Sequence, residues 1–358
     1  MKILVISLAG IGDTMFATPL IHELCLNFPG AQIDALVLWP GSKDLLMGNP
    51  FLNRVYQKNM IKDGALNSLK YLAGLRKERY DVSINTHPQS RIHYRVVARI
   101  INARERLSHV YDNSGWLDQR LVNRTLPQDY AVHAIENNLR LLTLLGKKTM
   151  MEPHEIELFL AEEDLLWAED FVQRNQLAGR RLAGLHVGTG GTKNLALRRW
   201  PLHSYLDLIR RLEQSHPELS IVLFGGPEER KDHETILQRL GKCSVIEART
   251  QNLGQAAALI QHCGIFLSVD TVMMHLAAAM KVPKQIVIET PTFNKPVEPY
   301  RQPFDLVRNP MVDGRNLEFY RYDGRGIHGS REALVKCMAA VTVEDVYRIM
   351  ERAMDSKE

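Results

Sequence analysis

The sequence lacks the marks of most specialised protein classes. Its four cysteines, Cys25, Cys243, Cys263 and Cys337, stand far apart and form no CxxC pair. That excludes a disulfide framework and a zinc knuckle, and fits a reducing, cytoplasmic compartment. No run of ~18 uncharged apolar residues occurs, so no membrane-spanning helix is expected. The apolar start Ile3–Leu8 follows a single Lys2 and is broken by Gly10-Ile11-Gly12-Asp13; it reads as a buried strand rather than a secretory leader. Lys and Arg total 45 against 41 Asp and Glu, a net +4, which matters only if it gathers on one face. The basic excess has no nucleic-acid motif and no interleaved exposed aromatics, so neither DNA nor RNA is an expected partner. There is no low-complexity segment, no short repeat, no G-x-S-x-G elbow, no H-E-x-x-H and no paired-carboxylate loop, so no metal site or bound cofactor is expected.

What is present is the composition of an ordinary globular enzyme, 45% hydrophobic and 24% charged over 358 residues, enough for about two domains. Short apolar runs alternate with amphipathic stretches. Ile3–Leu8, Ile33–Leu38 and Tyr80–Asn85 read as strands, and Thr14–Phe28, Ile61–Lys77 and Ser90–Asn102 as helices. The unit then restarts, with strands at Leu182–Val187, Ser220–Phe224, Ser244–Glu247, Ile265–Val269 and Gln285–Ile288. Helices are expected between them near Leu202–Ser215, Glu228–Leu240, Leu253–Cys263 and Val272–Lys281. This pattern predicts an α/β chain of two Rossmann-like domains with parallel sheets, 1–170 and 171–340, and a C-terminal helix in 341–358 that packs back on the N-terminal domain. Ligands of such sheets bind at the carboxyl ends of strands, so the cleft between two facing halves is the expected site.

Five constellations sit at expected strand ends. Gly10-Ile11-Gly12-Asp13 follows the first strand. It is a poor dinucleotide fingerprint, because Met15 replaces the third glycine and the next strand ends in Trp39-Pro40 without an acid. Asp13 is either a helix cap or a base, and Pro19 either kinks the helix or marks the first turn of a later one. His186-Val187-Gly188-Thr189, with Lys193, Arg198 and Arg199 behind it, is either a phosphate-binding turn or a solvated loop. Asp270, Thr271 and His275 straddle a strand end and a helix start; free helix N–H groups there suit a diphosphate, and the alternative is an N-cap Asp270 with a core histidine. Glu228, in Gly225-Gly226-Pro227-Glu228, either holds sugar hydroxyls or complements a helix dipole. Arg91 and Arg95 head a basic stretch that runs through Arg99, Arg104 and Arg106. They suit an acidic substrate, and the later arginines a solvated face.

Taken in order, Gly10-Ile11-Gly12-Asp13 with Pro19-Leu20, Asn137-Asn138-Leu139-Arg140, Arg198-Arg199-Trp200-Pro201, Gly225-Gly226-Pro227-Glu228 and Ser268-Val269-Asp270-Thr271 with His275 resemble the bacterial heptosyltransferases, glycosyltransferase family 9. The resemblance implies a GT-B fold whose N-terminal domain binds the acceptor and whose C-terminal domain binds the nucleotide sugar. It implies inverting, metal-independent transfer of a heptose from ADP-heptose to the lipopolysaccharide inner core or another acidic glycolipid. Asp13 would be the base. Thr189, Lys193, Arg198, Asp270, Thr271 and His275 would contact phosphate, Glu228 the donor's hydroxyls, and Gly12, Arg91 and Arg95 the acceptor. Contact with the inner face of the bacterial inner membrane would be peripheral. Arg198 stands where the family usually has Lys, Val272 where it has Gly, and Ile288-Glu289-Thr290 where it has an aromatic residue and Gly. The alternatives are a relative using another nucleotide sugar or glycan, and a catalytically silent binding protein on the same scaffold. A nicotinamide dehydrogenase is disfavoured by Met15 and Trp39-Pro40.

Overall fold

The structure, a computed structural model, describes residues 1–189, 195–241 and 245–355. The chain divides into two compact units. The N-terminal unit holds Met1–Phe159 with Lys295–Glu298 and Tyr322–Arg325, and the C-terminal unit holds Leu160–Asn294, Pro299–Arg321 and Gly326–Glu358.

In the N-terminal unit the strands are β1 Lys2–Ser7, β2 Gln32–Val37, β3 Arg54–Gln57, β4 Val82–Asn85, β5 Glu105–Val110 and β6 Arg124–Pro127. All pair in parallel, in the order β3-β2-β1-β4-β5-β6. The helices are α1 Ile11–Met15, α2 Thr18–Asn27, α3 Pro40–Leu46, α4 Ala65–Arg76, α5 Ile92–Ile101, α6 Trp116–Leu121 and α7 Ala134–Arg140. The helix expected over Thr14–Phe28 is in fact two. Pro19 lies in the first turn of α2, where its missing N–H costs nothing. Strands β3, β5 and β6 carry mixed or exposed residues, which is why no apolar run announced them. The basic stretch 91–106 is therefore split between α5 and β5 rather than forming one surface.

The C-terminal unit repeats the plan. Its strands are β7 Arg181–His186, β8 Leu219–Phe224, β9 Val245–Glu247, β10 Ile265–Val269, β11 Lys284–Ile288 and β12 Phe304–Val307. They form a second parallel sheet in the order β12-β11-β10-β7-β8-β9. Its helices are α8 Glu162–Arg174, α9 Leu202–Ser215, α10 Arg230–Leu240, α11 Leu253–Ile260, α12 Val272–Ala279, α13 Asn316–Phe319, α14 Arg331–Ala339 and α15 Val343–Asp355. Each sheet thus has the doubly wound α/β order. The order in which strands are added reverses between β1 and β4 in one sheet and between β7 and β10 in the other, and at such a switch point loops diverge and leave a ligand crevice.

The strands are buried on both faces, as parallel sheets require. Leu4, Ile6, Leu36, Leu72, Val97 and Ile101 join the core beneath α4 and α5. Leu185, Leu223, Leu267 and Ile286 anchor the second core. Val346, Tyr347, Met350, Ala353 and Met354 of α15 belong to that second core as well. The expectation that the C-terminal helix returns to the N-terminal domain is therefore corrected: its apolar face is spent on the C-terminal sheet and α9.

Candidate active site

In the N-terminal unit the first βα turn follows β1. Gly10 caps α1, and its N–H donates to Asp13 Oδ2 at 2.6 Å. Asp13 is thus the third residue of the helix reaching back to its start, not the N-cap itself. A Cβ on Gly10 would lie 2.9 Å from that oxygen, so a larger residue there would push the Asp13 carboxylate from its place. Asp13 and Gly12 remain half-buried rather than sealed in the core. Behind them Thr14 Oγ1 donates to Ser42 Oγ at 2.9 Å and fixes the turn to α3. The neighbouring β4 turn is held by Asn138 of α7. Its Oδ1 accepts from His87 N–H at 2.6 Å and its Nδ2 donates to Phe16 O at 3.0 Å.

Arg91 and Arg95 have different fates. Arg91 ends the β4 turn as the N-cap of α5 and is half-buried. Arg95 is 1% exposed. It donates to His109 O at 3.0 Å and pairs with Asp118 at 2.9 Å, with its guanidinium 5.4 Å from the Tyr111 ring. Arg95 is therefore a tie between α5, β5 and α6, and its expected acceptor role is corrected. Both terminal nitrogens of its guanidinium are taken by protein acceptors, and its place on the buried face of α5, with Tyr94 and Ala98, turned it inward.

The C-terminal unit gathers more groups, at the ends of β7, β10 and β11. Asp270 leaves β10 and pairs with Arg198 Nη1 at 2.7 Å. Thr292, beyond β11, donates to the same Asp270 oxygen at 2.9 Å and accepts from Arg198 Nη1 at 2.7 Å. Thr290 Oγ1 lies 3.1 Å from Thr292 Oγ1. The guanidinium is thereby locked, while its Nε is buried without a partner among the described residues. A buried donor left without a partner costs ~1–3 kcal/mol, so it is a place where a ligand oxygen would be gained rather than exchanged. Thr271, not Asp270, is the N-cap of α12, and its hydroxyl lies 3.1 Å from His186 Nδ1 rather than capping the helix. His275 sits one turn into α12, and burial, reinforced by Arg198, pulls its pKa down to about 3. His186 is likewise pulled to about 3 by burial and by His233 and Arg199. Both imidazoles are thus neutral at physiological pH, and with Arg198 paired to Asp270 the site's positive character comes from the α12 N–H groups and the guanidinium edge that Asp270 does not cover.

Thr189 is buried and accepts from Arg199 Nε at 3.3 Å. Arg199 also pairs with Glu229 at 3.0 Å and Asp232 at 2.9 Å. Glu229 accepts from Gly226 N–H at 2.9 Å, and a Cβ on Gly188 would lie 2.2 Å from its Oε1. Gly188 therefore makes room for a protein carboxylate rather than for a bound anion. Of the adjacent pair, Glu229 is buried and engaged, and Glu228 is exposed at the start of the α10 turn. Lys193 lies outside the described residues. The sequence pattern assigned no individual role to His186, Thr292 or Glu229. Only their nearness to strand ends pointed to them. Glu289, in the stretch that departs from the family's pattern, is buried, and Asn309 N–H donates to it at 2.8 Å. Among the described residues, no group of three His, Cys, Asp or Glu side chains is placed to hold a metal ion.

The sequence pattern of glycosyltransferase family 9 (heptosyltransferase) matches residues 69–315. The chain belongs to glycosyltransferase family 9. It is a glycosyltransferase. Lipopolysaccharide heptosyltransferase 3 of Escherichia coli is 25% identical over 281 residues, 76% of this chain and 78% of that protein. The family 9 glycosyltransferase from Veillonella parvula DSM 2008 superposes with a TM-score of 0.76 at 19% identity, covering 99% of this chain and 97% of the other. The E. coli ADP-heptose lps heptosyltransferase II gives 0.69 at 21% identity, with 99% and 98% covered. These structural likenesses establish the α/β GT-B fold for this member of family 9.

Proposed function

We propose that the protein transfers a heptose, or a closely related sugar, from an ADP-sugar to the inner core of lipopolysaccharide or another acidic glycan. The observation that carries this reading is the cluster around the α12 N-terminus. Arg198 is held by Asp270 and Thr292, Thr271 is held by His186, and His275 is buried beside Arg198. One fixed cation, a hydroxyl and a row of helix N–H groups suit a leaving diphosphate. As its bond to the anomeric carbon breaks, that carbon gains oxocarbenium character and the diphosphate takes the electron pair. The acceptor hydroxyl bonds to the same carbon from the opposite face, inverting it, and gives its proton to the Asp13 carboxylate. Arg91 offers a cation to an acidic acceptor. No step in this scheme requires a metal ion. Relatives whose names specify lipopolysaccharide or lipooligosaccharide support this choice of acceptor class.

The test combines binding and turnover. A thermal-shift panel of ADP-, UDP-, GDP- and dTDP-sugars should single out the ADP-sugar, because a ligand that binds only the folded state raises its melting point. Asp13→Asn should abolish transfer while leaving ADP-sugar binding by calorimetry near wild type. Loss of binding instead would remove Asp13 from the base role. Turnover should survive EDTA, and the product's anomeric configuration by NMR should be inverted. A strict Mg²⁺ requirement or retention would overturn that part of the scheme.

A further inference from the structure

A short turn from the far end of the chain, Tyr322–Arg325, belongs to the N-terminal unit. It docks beside Arg91. Asn113 Nδ2 donates to Asp323 O at 2.7 Å and to Ser90 O at 3.1 Å, so one amide ties the turn to the residue just before Arg91. Asp323 Oδ1 accepts from Arg325 N–H at 2.9 Å and closes the turn. Tyr322 is buried, its ring centroid 4.7 Å from that of His87, edge-on, and 6.1 Å from that of Tyr130. Gly324 stands on the stem of Arg91. Its φ is +82°, and a Cβ there would lie 3.0 Å from Arg91 Cγ and 3.8 Å from Arg91 Nε. Arg91 is half-buried, and its guanidinium makes no ion pair among the described residues. Arg325 differs, since its exposed side chain turns to Asp323 at 3.6 Å. In the first turn of α5, burial pushes the Tyr94 phenol up, with Arg91 opposing and Asp13 adding. The Arg91 and Asp13 charges thus act on one side chain.

We propose that this turn is part of the acceptor site, and that Gly324 positions Arg91 to grip an oxyanion of the acceptor, a phosphate or a carboxylate. A structural arginine brings its head to a protein carboxylate, as Arg95 does with Asp118. Arg91 is the reverse case: its stem is clamped and its head is matched to no carboxylate. Clamping the stem removes rotamer freedom before the ligand arrives, so the planar fork meets an oxyanion at lower entropic cost. Burial of Tyr322 holds the turn on the unit, but it does not call for a left-handed glycine set against an arginine. Any side chain at 324 would strain that backbone and displace the Arg91 stem. The inference rests on the acceptor reading proposed above and names the residues that would recognise the acceptor's charge.

The experiment is calorimetric binding of a lipid-free, acidic inner-core oligosaccharide to the full chain, with no donor present. The comparison ligands are the same oligosaccharide after dephosphorylation and after carboxyl reduction. The wild type should bind the acidic form about tenfold more tightly than at least one neutralised form, and which one it is tells phosphate from carboxylate. Arg91→Ala and Gly324→Val should each remove that preference. Together they should remove no more than either alone, because both act through one guanidinium. Asn113→Ala loosens the turn without adding bulk and should lower the preference about threefold, which keeps the test alive if the valine disrupts folding. A merely structural turn would change the melting temperature and leave the preference intact. Failure of the wild type to bind, equal binding of all three ligands, a wild-type preference in Gly324→Val or Asn113→Ala, or additive losses in the double variant would each overturn the inference. The expected preference in a chain that transfers sugar from no nucleotide sugar would refute the transfer reading alone.

Discussion

Mild acid should destabilise this protein more than its carboxylates can account for. His109 in the N-terminal unit and His186 and His275 in the C-terminal unit are each held to about 3, in every case mainly by burial. In the unfolded chain each returns to ~6.5. Below that pH the unfolded state binds more protons, so stability is complete above about 6.5 and is lost as pH falls toward 3. At pH 5 each unfolded histidine lies about 1.5 units below its pKa, which at ~1.36 kcal/mol per unit is about 2 kcal/mol per residue. Three such residues give roughly 6 kcal/mol, an upper bound, against a typical total of ~5–15 kcal/mol. His87, pushed well below its ordinary value by burial, adds in the same direction. Most carboxylates titrate below this window, so histidine sets the slope. Urea unfolding followed by circular dichroism at pH 7, 6 and 5 measures it. His186→Gln with His275→Gln should recover about 4 kcal/mol of the acid loss, whatever it does to absolute stability. Stability that stays level from pH 7 to 5, or a double variant with the wild-type slope, would refute the burial argument.

Three further outcomes follow from the contacts. Thr292→Val removes a hydroxyl bonded to both Arg198 and Asp270. Hydrogen bonds to charged groups are worth ~1.5–3 kcal/mol, so ADP affinity by calorimetry should weaken about tenfold or more, with Thr292→Ser restoring most of it. Arg95→Met leaves Asp118 buried without its partner and should cost about 3–5 kcal/mol in urea unfolding. An unchanged midpoint with a raised acceptor KM would instead return Arg95 to substrate binding. Arg91→Ala should raise acceptor KM several-fold with little change in stability, because the guanidinium makes no ion pair among the described residues. Equal loss of kcat and stability would show that it is structural.

The sequence by itself determined the elements that a continuous apolar run defines. β1, β2, β4, β7, β8, β10 and β11 were legible because both faces of a central parallel strand are buried and leave no polar alternation. It also placed Asp13, Thr271 and His275 where a strand end and a helix start adjoin in the chain. The short mixed strands β3 and β6 were hidden, since one exposed edge and four residues leave little pattern. The partners within the site were hidden too. Arg198 meets Asp270 from 72 positions away and Thr292 from 94, and His186 reaches Thr271 across 85. Only the order of strands brings those loops together, because β7 and β10 pair at the reversal point of the sheet. Which of Glu228 and Glu229 turns inward depends on a single step of the turn, and Arg95 turns inward while Arg91 does not because Arg95 lies within α5 and Arg91 only caps it. Composition is the same for both members of each pair, and the tertiary packing makes the choice.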